Sequence, residues 1–175
     1  MNEYKDKFDE LQASGTFKGQ QWFGKRKKLV DKYSWAVPNK EALVYLAEFE
    51  NLVEVGAGNG YCAKCITDAG GTVRATEASP PDKTYTTVEQ AYVDDLELSD
   101  EAVLTVWPPY NDAMSSMIAT REPAHILYVG EPRGGCTASD RFFEIVEQQY
   151  GLVAKIDIPS YTGIHDNLFH YVRKV

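Results

Sequence analysis

Apolar side chains change their spacing along the chain, and the change divides the sequence into two regions. In residues 1–13 and 22–33 they recur every three to four positions, as Tyr4, Phe8 and Leu11 do. This spacing predicts two amphipathic helices, because it places the apolar side chains on one helical face. In the second region, short apolar runs alternate with helical patterns. That alternation predicts an α/β fold with a mostly parallel, doubly wound sheet.

Turns rich in glycine and proline separate the elements of the second region. Asn39 is expected to cap the first of its helices with its side chain. Gly70 and Gly71 suit the end of the next helix. The predicted helices cover residues 39–49, 61–69, 113–120 and 142–150, and the predicted strands cover residues 52–55, 72–76, 103–106, 125–129, 152–158 and 168–173.

Length and composition are those of a packed domain. The chain has 175 residues, of which 43% are hydrophobic and 25% are charged. This composition differs from that of a disordered protein, and the length is sufficient for a hydrophobic core that needs no disulfide bonds. We expect one domain over residues 1–175, with residues 1–37 as a helical extension. No apolar run approaches a membrane span, the first residues are charged, and the three cysteines are an odd number. A cytoplasmic protein without a membrane anchor is therefore expected.

Charge is distributed unevenly beneath the net value of −8, which comes from 18 basic and 26 acidic residues. The segment 18–32 is basic, and it is interpreted either as a solvated helix face or as a patch for phosphate or single-stranded nucleic acid. The net charge and the absence of a target-recognition domain argue against duplex DNA. The basic residues are Lys18, Lys25, Arg26, Lys27, Lys28 and Lys32.

A glycine-rich turn follows the first predicted strand, in the sequence VEVGAGNG at 53–60. Ligands of doubly wound sheets bind at the carboxyl ends of the strands, and glycines let the backbone approach them closely. Dinucleotides require G-x-G-x-x-G, but Tyr61 occupies the position of the last glycine. The phosphate loop G-x-x-x-x-G-K-[ST] is also absent. The turn thus predicts a ligand that has a ribose but no pyrophosphate.

Glu77 ends the second predicted strand, 17 positions after Gly60. An acidic side chain at this place can accept hydrogen bonds from both ribose hydroxyls. A glutamate at a strand end is by itself often a solvated loop residue. Its offset from the glycine turn favours the interpretation as a ribose ligand.

These residues resemble the class I S-adenosylmethionine-dependent methyltransferases, through VEVGAGNGY at 53–61, TEAS at 76–79 and WPPY at 107–110. More narrowly, YSWAVP at 33–38 and YVGE at 128–131 followed by GGCT look like a small methyltransferase-like group. The resemblance implies a Rossmann-like, doubly wound sheet of seven strands, mostly parallel, with one antiparallel strand near the carboxyl terminus. It also implies methyl transfer from S-adenosyl-L-methionine to a substrate that the sequence does not name.

The same resemblance implies the cofactor contacts. Glu54 and the glycines of the turn would contact the methionine part, Glu77 the ribose, and Asp94 or Asp95 the adenine amine. The residues expected around the cofactor are Glu54, Gly56, Ala57, Gly58, Asn59, Gly60, Glu77, Ala78, Asp94, Asp95 and Trp107.

The WPPY motif leaves two functions open. In related amino-group methyltransferases this motif begins with a hydrogen-bond acceptor, whereas the Trp107 indole only donates. Asp112 could replace the acceptor, or Asn111 could simply cap the next helix, and the Pro108 carbonyl and the Tyr110 ring could orient a flat substrate. The alternative function is a cofactor-binding protein of the same fold that transfers no methyl group.

Catalysis would rest on groups that orient and deprotonate a nucleophile, and no metal is expected. The candidate catalytic residues are Tyr110, Asp112 and Glu131. His165 is a weaker candidate for the base, because it fits a surface loop. Cys62 and Cys65 form a C-x-x-C pair but have no second pair, so they are expected to be small buried side chains. A small molecule or a single nucleobase is the expected substrate class.

Overall fold

The computed structural model describes residues 2–15 and 20–175. Lys18, one of the residues of the predicted basic segment, lies outside these ranges. The helices are α1 Glu3–Ala13, α2 Gln20–Lys32, α3 Lys40–Ala47, α4 Tyr61–Asp68, α5 Met114–Thr120 and α6 Asp140–Gln149, and a short 3-10 helix covers Val93–Asp95. The strands are β1 Leu52–Val55, β2 Val73–Glu77, β3 Val88–Gln90, β4 Ala102–Val106, β5 His125–Gly130, β6 Tyr150–Asp157 and β7 Asn167–Arg173.

In the described part of the chain, seven strands form one sheet in the order β3-β2-β1-β4-β5-β7-β6. Neighbouring strands from β3 to β5 pair in parallel, and β7 is antiparallel to both β5 and β6. The order reverses between β1 and β4, so the carboxyl end of β1 lies at the switch point where such sheets bind ligands. The predicted mostly parallel, seven-stranded sheet with one antiparallel strand is confirmed.

Helices cover both faces of the sheet. Leu52 and Leu104 belong to the apolar cluster that includes residues of α1 to α4, whereas Val53 and Val103 pack with residues of α5. Successive strand residues point to opposite faces, so neighbouring residues of β1 and β4 enter different clusters. Burial on both faces explains why these strands are continuously apolar in the sequence.

Local sequence signals account for several element boundaries. The Asn39 side chain accepts a hydrogen bond from the Ala42 backbone N–H at 3.0 Å, which confirms the predicted cap of α3. The strand β3 was not predicted, because it has three residues and two of them are polar. None of the described helices combines the length and the hydropathy that a membrane span requires.

Candidate functional site

The turn between β1 and α4 contains three glycines with left-handed backbone, with φ of 76° at Gly56, 55° at Gly58 and 75° at Gly60. A Cβ at Gly60 would lie 2.8 Å from the Val88 side chain, so this position is closed by packing against β3. A Cβ at Gly58 would meet no atom within 4 Å. Gly58 therefore leaves its backbone accessible from open space, as a backbone that contacts a ligand must be.

Glu77 lies beside this turn, at the end of β2. Its Oε2 atom accepts a hydrogen bond from the Gly58 backbone N–H at 3.0 Å, and its Oε1 atom accepts one from the Ser79 N–H at 3.1 Å. A carboxylate has about four acceptor positions, so both oxygens can still accept from a ligand. Glu77 thus fixes the shape of the glycine turn and keeps capacity for hydroxyl groups.

A cavity lies between the glycine turn and the segment that joins α2 to α3. Both walls contribute polar and apolar groups, and Val106 at the end of β4 also lines the cavity. Its lining residues are Val30, Tyr33, Ser34, Trp35, Glu54, Gly56, Ala57, Gly58, Asn59, Cys62 and Val106.

Glu54 is the charged residue of this lining, and it is only 1% exposed. Its Oε2 atom has no hydrogen-bond partner among the described residues. Burial raises the pKa of Glu54 to about 8, against a smaller opposing effect of the Ala63 backbone N–H. Burying a carboxyl oxygen without a hydrogen-bond partner is unfavourable in free energy. A cationic ligand group in the cavity would donate the missing hydrogen bond and provide a positive charge opposite the carboxylate.

Hydrogen bonds connect the amino-terminal helices α1 and α2 to residues in and near the glycine turn. The Lys32 carbonyl, at the end of α2, accepts hydrogen bonds from the Tyr85 hydroxyl at 2.9 Å and from the Asn59 amide at 3.3 Å. The Tyr61 hydroxyl donates to Asn2 Oδ1 at 2.8 Å. Tyr61, which in the sequence only excludes a dinucleotide, therefore anchors α1 against α4.

The acidic residues predicted for the adenine end are engaged locally. Asp94 forms an ion pair at 2.6 Å with Arg121, the residue that follows α5. Asp95 accepts a hydrogen bond from the Tyr92 N–H at 3.3 Å, within the 3-10 helix. Adenine recognition by either carboxylate stays a prediction, and Asp94 would have to share its charge with Arg121.

The first residue after β4, Trp107, has left-handed backbone with φ of 52°. Its ring stacks on Trp35, with centroids 4.9 Å apart and planes within 10°. Its indole Nε1 donates to Asp166 Oδ2 at 2.9 Å. The Pro108 carbonyl accepts a hydrogen bond from the Ala138 N–H at 2.8 Å, so the acceptor expected to orient a substrate is already engaged within the fold.

Tyr110 and Asp112 lie beyond the motif on the surface. The Asp112 Oδ1 atom accepts from the Met114 N–H at 2.6 Å, so Asp112, and not Asn111, supplies the side-chain hydrogen bond at the start of α5. The Tyr110 hydroxyl donates to Asp140 at 3.0 Å. Both side chains remain exposed, and their catalytic roles stay predictions.

Glu131 follows β5 and is 6% exposed. It accepts hydrogen bonds from the Cys136 N–H at 2.7 Å and from the His165 N–H at 3.1 Å. Burial acts to raise the pKa of Glu131, but these hydrogen bonds outweigh it and hold the pKa below its usual value. A carboxylate held in this way links two loops and is a weak base, which favours a structural role beside the predicted catalytic one.

Asp166, which no pattern in the sequence indicates, is another buried carboxyl group, and it lies near the end of β4. It is 5% exposed, and its Oδ1 atom has no partner among the described residues. Burial raises its pKa to about 6. No local signal marks it, because its partner Trp107 is 59 positions away in the chain.

The remaining candidates have ordinary surroundings. Cys62 and Cys65 are free and buried, as predicted. Burial raises the pKa of each thiol, which makes both poor nucleophiles. The His165 side chain is 77% exposed. Its Nδ1 atom is 3.6 Å from Glu131.

Solved methyltransferases share the fold of this chain. The magnesium protoporphyrin IX methyltransferase of Synechocystis PCC 6803, solved with bound SAM, has a TM-score of 0.59 and 12% identity, covering 97% of this chain and 90% of that chain. The chain thus shares the Rossmann-like α/β fold of this methyltransferase. The 1,6-didemethyltoxoflavin-N1-methyltransferase of Burkholderia thailandensis, with bound 1,6-didemethyltoxoflavin and S-adenosylhomocysteine, has a TM-score of 0.59 and 13% identity, covering 99% and 90%.

A third structure of this fold, the N-methyltransferase NodS of Bradyrhizobium japonicum, has a TM-score of 0.54 and 9% identity, covering 78% of this chain and 94% of that chain. No family model matches the sequence, and no curated protein matches it. At these identities the class I likeness concerns the fold, and the function has to be argued from the site.

Proposed function

We propose that the protein is an S-adenosylmethionine-dependent methyltransferase. The observation that carries the proposal is Glu54, a buried carboxyl group with an unpartnered oxygen in the cavity beside the glycine turn. The methionine part of this cofactor ends in an ammonium group, which fits that oxygen in both charge and hydrogen bonding. The solved neighbours with bound SAM or S-adenosylhomocysteine support the same ligand class.

The other cofactor contacts follow from the order of the strands. Gly58 would leave room for the ligand, while Gly56 and Gly60 would shape the turn and contact the ligand through their backbone. Glu77 would accept hydrogen bonds from the two ribose hydroxyls. Asp94 or Asp95 would accept the adenine amine. We also assign Ala57, Asn59, Ala78 and Trp107 to the surroundings of the cofactor.

When bound, the cofactor supplies a methyl group on a sulfonium, which is electrophilic without a metal ion. The chain has to hold a nucleophile in line with that methyl group and remove its proton where necessary. We retain Tyr110 for orientation and Asp112 as a base, through the Oδ2 atom that does not contact Met114. Glu131 would keep the loops after β5 and β6 together at the edge of the acceptor site.

The second candidate function, cofactor binding without transfer, is favoured by the WPPY motif. Trp107 offers no acceptor, and the Pro108 carbonyl and Asp112 Oδ1 are occupied by backbone N–H groups. Calorimetry with S-adenosylhomocysteine, followed by incubation with methyl-labelled cofactor and fractionated lysate, separates the two functions. We expect binding and label in an acceptor fraction. Binding without transfer to any fraction would favour the second function, and no binding of either ligand would contradict both.

The raised pKa of Glu54 leads us to expect that the affinity for the ligand depends on pH. Its pKa of about 8 means that Glu54 is largely protonated at pH 6, and an ammonium group favours the ionised form. We expect the affinity for S-adenosylhomocysteine to rise by roughly tenfold for each pH unit between 6 and 7.5, since each binding event releases one proton. The Glu54→Gln variant should bind weakly and without this slope. A flat profile in the wild-type protein would contradict the assignment.

Thermal unfolding without ligand is the control for this prediction. The pKa of Glu54 in the folded chain lies above its ordinary value of 4.5, so Glu54 stabilises the fold less as the pH rises from about 4.5 to about 8. Glu54→Gln has no such loss. The unfolding midpoint temperature of Glu54→Gln, relative to that of the wild-type protein, should therefore increase as the pH rises across this range.

A further inference from the structure

An indole ring is exposed at the rim of the cavity. Trp35 lines the cavity and remains 51% exposed, while one of its faces stacks on Trp107. Exposing so much aromatic surface at a ligand site is unfavourable unless a partner covers it, and indole rings bind other flat rings by stacking. Trp107 covers one face and the Arg26 guanidinium lies 6.0 Å from the ring centroid, so a planar molecule can contact the exposed half of the Trp35 surface next to this cation.

Several contacts hold this stacked pair in place. Trp107 donates its backbone N–H to Val129 at 2.8 Å and its indole N–H to Asp166 at 2.9 Å. Asp166 in turn donates its own N–H to Ser160 Oγ at 3.0 Å. These contacts fix the Trp107 ring, on which Trp35 stacks. The pair therefore loses little conformational freedom when a ligand stacks on Trp35, which favours binding. Asp166 is a positioning residue in this arrangement, because it acts through Trp107.

A cation lies at the same rim. The Arg26 guanidinium is 6.0 Å from the Trp35 ring centroid and 5.0 Å from the Tyr161 ring centroid. Within residues 2–15 and 20–175, Arg26 has no carboxylate within ion-pair distance, although its charge lowers the pKa of the buried Asp166. In a protein with a net charge of −8, an arginine without an ion pair next to an exposed ring favours an anionic ligand.

We propose that the acceptor substrate is a planar aromatic anion that stacks on Trp35 and places its carboxylate or phosphate at Arg26. The inference rests on the proposed methyltransferase function and specifies its substrate class. Stacking and charge would orient the methyl-accepting substrate, although the Trp107 side chain offers no hydrogen-bond acceptor. It also gives a role to the aromatic segment upstream of β1, which the cofactor contacts leave without one.

Three ligands of one shape test the proposal in protein saturated with S-adenosylhomocysteine. The planar anion is 2-naphthoate, the planar neutral analogue is 2-naphthamide, and decahydro-2-naphthoate keeps the charge but has puckered rings. We expect 2-naphthoate to bind at least fivefold more tightly than either analogue, since each analogue lacks one of the two contacts. Equal affinity of the planar and puckered anions would overturn stacking. Equal affinity of 2-naphthoate and 2-naphthamide would overturn the anion site.

Matched variants locate the two contacts. Trp35→Leu should weaken 2-naphthoate binding by roughly 5- to 100-fold, whereas Phe23→Leu, at another exposed aromatic residue of the same region, should not. Arg26→Gln should reduce the affinity for 2-naphthoate to that for 2-naphthamide, whereas Lys28→Gln should leave it unchanged. Equal losses in a variant and its control would overturn the assignment to that residue.

Failure of the inference is distinguishable from failure of the proposed function. If the wild-type protein binds S-adenosylhomocysteine but shows no preference among the three ligands, only the substrate class is wrong. If it does not bind S-adenosylhomocysteine, the methyltransferase function is wrong, and the ligand series without the cofactor product decides whether Trp35 and Arg26 still form a binding site for planar anions.

Discussion

Replacing Gly58 by valine is expected to abolish binding of S-adenosylhomocysteine. The backbone at Gly58 has φ of +55°, and the space in which a Cβ would lie contains no atom within 4 Å. A branched side chain would project into that space, where the ligand has to approach the turn, and it would also strain the left-handed backbone. We expect calorimetry to show no heat at ligand concentrations that saturate the wild-type protein.

Backbone strain alone is controlled by Gly70→Val. Gly70 also has a left-handed backbone, with φ of +98°, and its Cβ position is equally open, but it lies at the other end of α4. This variant should lose stability, by about 1–2 kcal/mol, and still bind. A folded Gly58→Val protein with normal affinity would show that the glycine turn is not the ligand site.

Glu77→Ala is expected to weaken binding of S-adenosylhomocysteine by at least tenfold. The side chain would lose two charge-assisted hydrogen bonds to the ribose, each worth roughly 1.5–3 kcal/mol before water compensates. The variant should also become modestly less stable, because the Gly58 and Ser79 N–H groups lose their acceptor. Calorimetry measures the first effect and thermal unfolding the second.

Glu89→Ala is the matched control for charge. Glu89 is an exposed carboxylate on β3, and both of its oxygens accept hydrogen bonds from Arg74 on β2. Its removal changes the net charge by the same amount and should leave the affinity unchanged. Equal dissociation constants for wild-type protein and Glu77→Ala would assign Glu77 to holding the turn. An equal loss in both variants would point to long-range electrostatics.

The fold was predictable because its signals are local. Each buried strand of the sheet centre is a short apolar run, each helix has its own periodicity, and Asn39 caps α3 within four residues. The strand β3 escaped prediction because its stability comes from pairing with β2, not from its own apolar side chains. Tyr61 marked what the turn does not bind, but its packing on α1 required the assembled structure.

The candidate site divides in the same way. Local sequence patterns were enough to predict the mostly parallel sheet, the glycine turn and the place of Glu77 at the end of a strand, since turn chemistry and strand ends depend on neighbours in the chain. The assembled fold, in contrast, buries Glu54 without a full set of partners, stacks Trp35 on Trp107, and brings Asp166 within hydrogen-bond distance of the Trp107 indole. Those properties depend on contacts between residues tens of positions apart, and burial and pKa arise from the whole surroundings of a group, which no local pattern encodes.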